Sequence, residues 1–138
     1  MQVTEGQGWR LVVDQRRQPF SVLLGGVLWS VELTGAEALA LADAVAVLMD
    51  QHHRIADQLM ADEDLELDME RGNLWVGLTV HQGRWSLRFV LESPAGLRSV
   101  EAGWDEVASP ALALALEALP QRLSSQSEVT TDPAGDEV

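Results

Sequence analysis

A chain of 138 residues with 46% apolar residues is sized for one domain and stocked for one core. The absence of cysteine excludes a disulfide framework, a thiolate metal centre and a cysteine nucleophile. A net charge of −13, with nine arginines and no lysine, works against bulk nucleic-acid binding.

The N-terminus, MQVTEGQGWRLVVD, lacks a basic region followed by an apolar one, so no signal peptide is expected. The first predicted strand is Gly8 to Asp14, where Trp9, Leu11 and Val13 alternate. Phe20 to Leu24 and Val27 to Leu33 follow, joined by Gly25-Gly26 as a two-residue hairpin turn. That turn pairs Leu24 with Val27, Val22 with Trp29 and Phe20 with Val31, an all-apolar face.

Thr34-Gly-Ala-Glu37 reads as a capping box. Leu41, Val45, Leu48, His52, Ile55 and Leu59 then recur at helical spacing, which predicts a helix from about Gly35 to about Ala61. Its apolar part, Ala36 to Met49, is interrupted by Glu37 and Asp43 and falls short of the roughly 20 residues of a membrane span. The expectation is a soluble, cytoplasmic chain.

A meander follows. Leu65, Leu67 and Met69 alternate with acids, and Arg71-Gly72 reads as a turn. Leu74, Val76, Leu78 and Val80 alternate again, then Gln82-Gly83 turns into Trp85, Leu87, Phe89 and Leu91. Two-residue turns pair Met69 with Leu74 and Leu67 with Val76 on one side, and Val80 with Trp85 and Leu78 with Leu87 on the other. A fourth strand is expected over Leu97 to Trp104. Ser109-Pro110 then starts a last helix, with Ser109 as N-cap, which Pro120 ends.

The sum is an α+β domain over residues 1–123: two antiparallel sheets with two helices, in the order β3-α-β4-α. Residues 124–138 read as a disordered acidic tail.

The stretches EGQGWRL (Glu5 to Leu11), PFSVLLGGVLWSVELTGAE (Pro19 to Glu37) and RWSLRFVLES (Arg84 to Ser93) resemble a family of small uncharacterised cyanobacterial proteins, domain of unknown function 1818. The resemblance covers roughly Glu5 to Leu123. It implies a cyanobacterial cytoplasm and a fold like that of the Whirly-type single-stranded-DNA-binding transcriptional regulators, built from two units of sheet plus helix. It implies no established activity. The Lys-rich strand of Whirly proteins has no counterpart in a chain without lysine.

Five residues are candidates for an interaction surface: Trp75, Arg16, Arg17, Arg84 and Arg88. Strand alternation sends Trp85, Leu87 and Phe89 to the core and Arg84, Ser86, Arg88 and Val90 to the other face. Pairing Glu92 with Leu97 places Arg88 between Glu66, beyond Gly77, and Glu101, which predicts a structural ion pair. Trp75 is the one aromatic on that outer face, an interface candidate that this fold or a homodimer mate would otherwise cover. Arg16-Arg17 is the densest basic spot. His52 and His53 point about 100° apart on a helix and do not form a chelating pair. ADEDLELDME (Ala61 to Glu70) carries six acids without the spacing of a calcium loop.

No catalytic motif, cofactor motif or metal set emerges. The expected function is a non-enzymatic protein-interaction or regulatory adaptor whose acidic surface meets a basic partner. The alternative is a single-stranded nucleic-acid-binding transcriptional regulator.

Overall fold

The computed structural model describes residues 1–60, 62–93, 96 and 98–124. Strands β1 (Gln2–Gly6), β2 (Trp9–Val13), β3 (Val22–Gly25) and β4 (Ser30–Leu33) form an antiparallel sheet in sequence order. Helix α1 (Gly35–Ile55) follows. A second four-stranded antiparallel sheet is made by β5 (Leu65–Arg71), β6 (Leu74–His81), β7 (Arg84–Glu92) and β8 (Ser99–Trp104), and then comes α2 (Ala108–Glu117). The class is α+β, as the alternation patterns indicate. The order is a doubled sheet-then-helix unit with four strands in each half, one more than the sequence reading finds.

The missed strand is β1. Its residues that pair with Val13, Leu11 and Trp9 are Gln2, Thr4 and Gly6, so its inner face offers no apolar alternation to read. Thr4 is instead held by the Arg122 guanidinium.

The core lies between the inner faces of the two sheets and the helices. Leu11, Val13, Val22, Leu24 and Leu33 come from the first sheet, and Val76, Leu78, Val80, Leu87, Phe89 and Leu91 from the second. Helix α1 adds Leu41, Val45 and Leu48 and packs on β5 and β6; α2 adds Leu112 and Leu116 and packs on β2 and β7. Trp104 ties the halves. Its ring sits 5.2 Å from Trp29 and 5.6 Å from Phe89, and its Nε1 donates to the Gly25 carbonyl at 3.0 Å.

Register separates what alternation specifies from what it does not. The β6–β7 pairs are as read, Leu78 with Leu87 and Val76 with Phe89, across a Gln82-Gly83 turn in which both residues take left-handed φ. The β5–β6 register is offset by two: Met69 pairs with Val76 and Arg71 with Leu74, because Gly72-Asn73 makes the turn. The β7–β8 register is also offset by two, with Glu92 opposite Ser99 rather than Leu97. The β3–β4 hairpin is offset by four. Leu24 faces Val31 and Val22 faces Leu33, and the Gly26 amide donating to the Trp29 carbonyl at 2.9 Å closes a loop that leaves Val27 and Leu28 exposed. Gly25-Gly26 is not the turn. Gly26 is glycine because the Trp29 indole folds back over it, where any Cβ would overlap the ring.

The capping box is present: Glu37 N donates to Thr34 Oγ1 at 3.1 Å and Thr34 N to Glu37 Oε1 at 2.9 Å. Helix α1 ends at Ile55, short of Ala61, and tightens into a 3-10 turn over Ala56–Gln58. Ser109 is not an N-cap. Asp105 Oδ1 caps α2, accepting the amides of Val107 and Ala108 at 3.0 and 2.8 Å. Ser109, fully buried, accepts from Leu87 N at 3.0 Å and donates to the Trp104 carbonyl at 2.9 Å. Helix α2 ends at Glu117, before Pro120, and Pro120 lies in the first turn of a further helical stretch over 119–124. The predicted tail lies outside the described residues, apart from Ser124.

Candidate functional site: the outer face of the second sheet

Alternation along β5 to β8 turns Glu66, Asp68, Glu70, Trp75, Thr79, Arg84, Ser86, Arg88 and Glu101 away from the core. Three of the five sequence candidates, Trp75, Arg84 and Arg88, therefore share one face. Arg16 and Arg17 lie elsewhere, in the β2–β3 loop.

Trp75 stands on the inner strand β6 near one end of this face, opposite Glu70 on one side and Val90 on the other. Its indole folds along the strand over Gly77, which is buried. A Cβ at Gly77 would come within 2.6 Å of the indole. Arg88 pairs directly with Gly77, and its guanidinium covers the Trp75 ring at 5.0 Å from the centroid. The diagonal contact is available because Gly77 sends nothing between the two side chains.

The predicted ion pair of Arg88 is not found. With β8 offset by two, Glu101 falls opposite Val90, and the partner of Arg88 is Gly103. With β5 offset by two, Asp68 rather than Glu66 lies beyond Gly77. Arg88 is thus flanked by two glycines and finds the indole instead of a carboxylate. Beside Gly103 lies an open trough of about 560 Å³ lined by Glu66, Thr79, Ser86, Arg88, Glu101 and Asp105. Thr79 Oγ1 lies 3.5 Å from Glu66, and Arg84 lies 3.7 Å from Glu106, an exposed pair of small energetic weight. Carboxylates outnumber guanidinium groups around the stack, so the face is acidic overall.

Arg16 and Arg17 are each engaged by the chain's own acids. Arg16 Nε donates to Asp14 Oδ1 at 3.1 Å, which holds the Asp14 carboxyl below its usual range against the opposing effect of burial. The Arg17 guanidinium pairs with Glu32. They clip the loop to the sheet and do not form an anion site between them.

The sequence reading misses Arg98. Its NH1 donates to Glu37 Oε2 and its NH2 to Glu37 Oε1, both at 2.9 Å, and NH2 also donates to the Glu32 carbonyl at 2.6 Å. The guanidinium lies 4.9 Å from the Phe20 ring centroid. Burial disfavours the charged form of Glu37, but the Arg98 and Thr34 hydrogen bonds outweigh it and hold the carboxyl below its usual range. One carboxylate therefore caps α1 and clamps the approach to β8 onto the first sheet. The capping box is visible locally; its second partner, 61 residues along, has no local signal.

His52 lies half-buried 6.3 Å from Trp85, and burial followed by the neighbouring His53 lowers its pKa. Among the described residues no group of three or more His, Asp or Glu is placed to hold a metal ion. Nor, among them, is any helix long and apolar enough to cross a membrane. The face as built is a stacked indole and guanidinium among carboxylates.

The chain matches the family described as domain of unknown function 1818 over residues 4–119. No curated protein matches it. It is similar to the crystal structure of a protein of unknown function from Prochlorococcus sp. NATL2A, described as a DUF155 family protein. The two share 36% identity with a TM-score of 0.81 over 86% of this chain and 98% of that one. The family match spans both sheets, α1 and α2, and so the chain belongs to the domain of unknown function 1818 family.

Proposed function

We propose that this chain is a protein-interaction module, a regulatory adaptor rather than an enzyme, that meets a basic partner through the outer face of its second sheet. The observation that supports it is the Trp75–Arg88 stack, set on a face whose outward β5 positions are all carboxylates. A large aromatic bordered by polar groups is a common composition of an interface hot spot. Acidic surroundings raise the encounter rate with a basic partner and repel acidic competitors.

The test is fluorescence anisotropy of a labelled Lys/Arg-rich peptide against the full chain, with Trp75→Ala beside it. Saturable binding that Trp75→Ala weakens by about 2 kcal/mol, roughly thirtyfold, is expected. Binding that ignores the substitution overturns the placement.

A second reading, a single-stranded nucleic-acid-binding transcriptional regulator, is favoured by the same stack, since an indole beside a guanidinium can receive a base. Labelled single-stranded DNA across a salt series decides between the two. Micromolar binding at about 150 mM salt that weakens steeply with added salt selects the nucleic acid.

A further inference from the structure

A second surface shares no lining residue with the sheet face. We propose that the furrow between α1 and α2 docks an amphipathic helix with basic side chains along its polar edge. This goes beyond the sheet-face reading and does not depend on it.

On α1 the furrow is lined by Ala42, Val45, Ala46, Met49, Asp50 and His53, a single stripe at helical spacing. From Ala42 to His53, eleven steps at 1.5 Å make it roughly 16 Å long, three helical turns. On α2 it is lined by Pro110, Ala113, Leu114 and Glu117, again one stripe. The furrow, open to solvent along its length, holds about 350 Å³. Ala42, Val45 and Ala113 form a buried floor, and their small size lets a third backbone approach. Leu114 stands at the wall 68% exposed, while Leu112 and Leu116 on the same helix are fully buried. An apolar groove between two helices, three turns long, has the shape that receives the apolar face of another helix.

Charge selects the occupant. Asp50 at the rim is paired with Arg54 at 2.9 Å, while Glu117 at the other side has, among the described residues, no ion-pair partner and carries the negative charge of the rim. A second copy of this chain would bring another −13 to the contact. The chain's own segment 124–138 holds four acids and no basic residue, the wrong sign for that rim. A helix with Leu and Ala on one side and Lys or Arg flanking it satisfies both floor and rim.

The probe is a fluorescein-labelled amphipathic Leu/Ala/Lys peptide titrated into the full chain, with circular dichroism and melting confirming that each variant folds. Saturable binding is expected. Leu114→Asp should weaken it roughly tenfold or more, about 1.4 kcal/mol. Glu117→Lys should weaken it too, and a Glu-for-Lys version of the peptide should recover affinity for that variant. In a Trp75→Ala background the binding should keep its dependence on Leu114, which separates this site from the sheet face. Equal binding of a scrambled peptide, no effect of Leu114→Asp, or a dimer in sedimentation that Leu114→Asp dissolves would each overturn the proposal.

Discussion

Replacing Ser109 with alanine removes one hydroxyl from a fully buried position. That hydroxyl joins two backbone groups on different strands: it accepts from Leu87 N at 3.0 Å and donates to the Trp104 carbonyl at 2.9 Å. Leu87 and Trp104 are themselves the first register pair of β7 with β8, so the hydroxyl bridges the ladder at its end. Alanine leaves an amide and a carbonyl without partners away from water, and each unsatisfied buried group costs about 1–3 kcal/mol. The sum, about 2–6 kcal/mol, is a large part of the stability of a small domain, ~5–15 kcal/mol. Loss of an N-cap would cost about 1 kcal/mol instead. Urea unfolding followed by tryptophan fluorescence measures the difference. The pair Ser109→Ala and Ser109→Asp sharpens it, because Asp serves well as an N-cap and cannot enter this buried site. A loss below about 1 kcal/mol for alanine, or a stable Ser109→Asp protein, refutes the bridging role.

Arg98→Ala removes the bidentate partner of Glu37 and, after a discount for the partial exposure of both side chains, should cost about 2 kcal/mol at pH 7. Because the folded-state pKa of Glu37 is depressed, its contribution is present above the unfolded value of about 4.3 and is lost as pH falls through the folded value. The stability gap between wild type and Arg98→Ala should therefore narrow on acidification below about pH 4, and a gap that stays constant to the acid limit contradicts the assignment. Gly77→Ala should lift the Trp75 indole off the sheet and break its stack on Arg88, with a shift in tryptophan emission and weaker binding at that face but little change in the β6–β7 ladder. Unchanged emission would show that the ring does not rest on Gly77. Gly26→Ala should expel Trp29 from its place beside Trp104, reducing the near-UV circular dichroism and stability by about 1–2 kcal/mol. A native near-UV spectrum in that variant contradicts the packing role given to Gly26.

The residues themselves determine which face of each strand is buried. Leu74 to Val80 and Trp85 to Leu91 alternate without interruption, and a turn whose two residues both accept left-handed φ leaves a single register between them. The capping box of α1 is equally local, one side chain reaching three residues. Where the readings and the fold differ in register, the offsets are even: two for β5–β6 and β7–β8, four for β3–β4. A side-chain period of two specifies a face and says nothing about a slip by two, since the slipped strand presents the same residues inward.

The tertiary structure decided the rest, because the deciding partners are far away along the chain. Trp29 folding onto Trp104 lengthens the β3–β4 loop, and Arg122 holding Thr4 secures a β1 that has no apolar inner face. Arg98 reaches Glu37 across 61 residues. The candidate site follows the same division. Alternation put Trp75, Arg84 and Arg88 on one face, but the even slip of β8 removed the carboxylate from Arg88, and two flanking glycines let it settle on the indole. Local pattern fixes orientation because it is a property of consecutive residues; pairing is a property of distant surfaces that meet only once the core has closed.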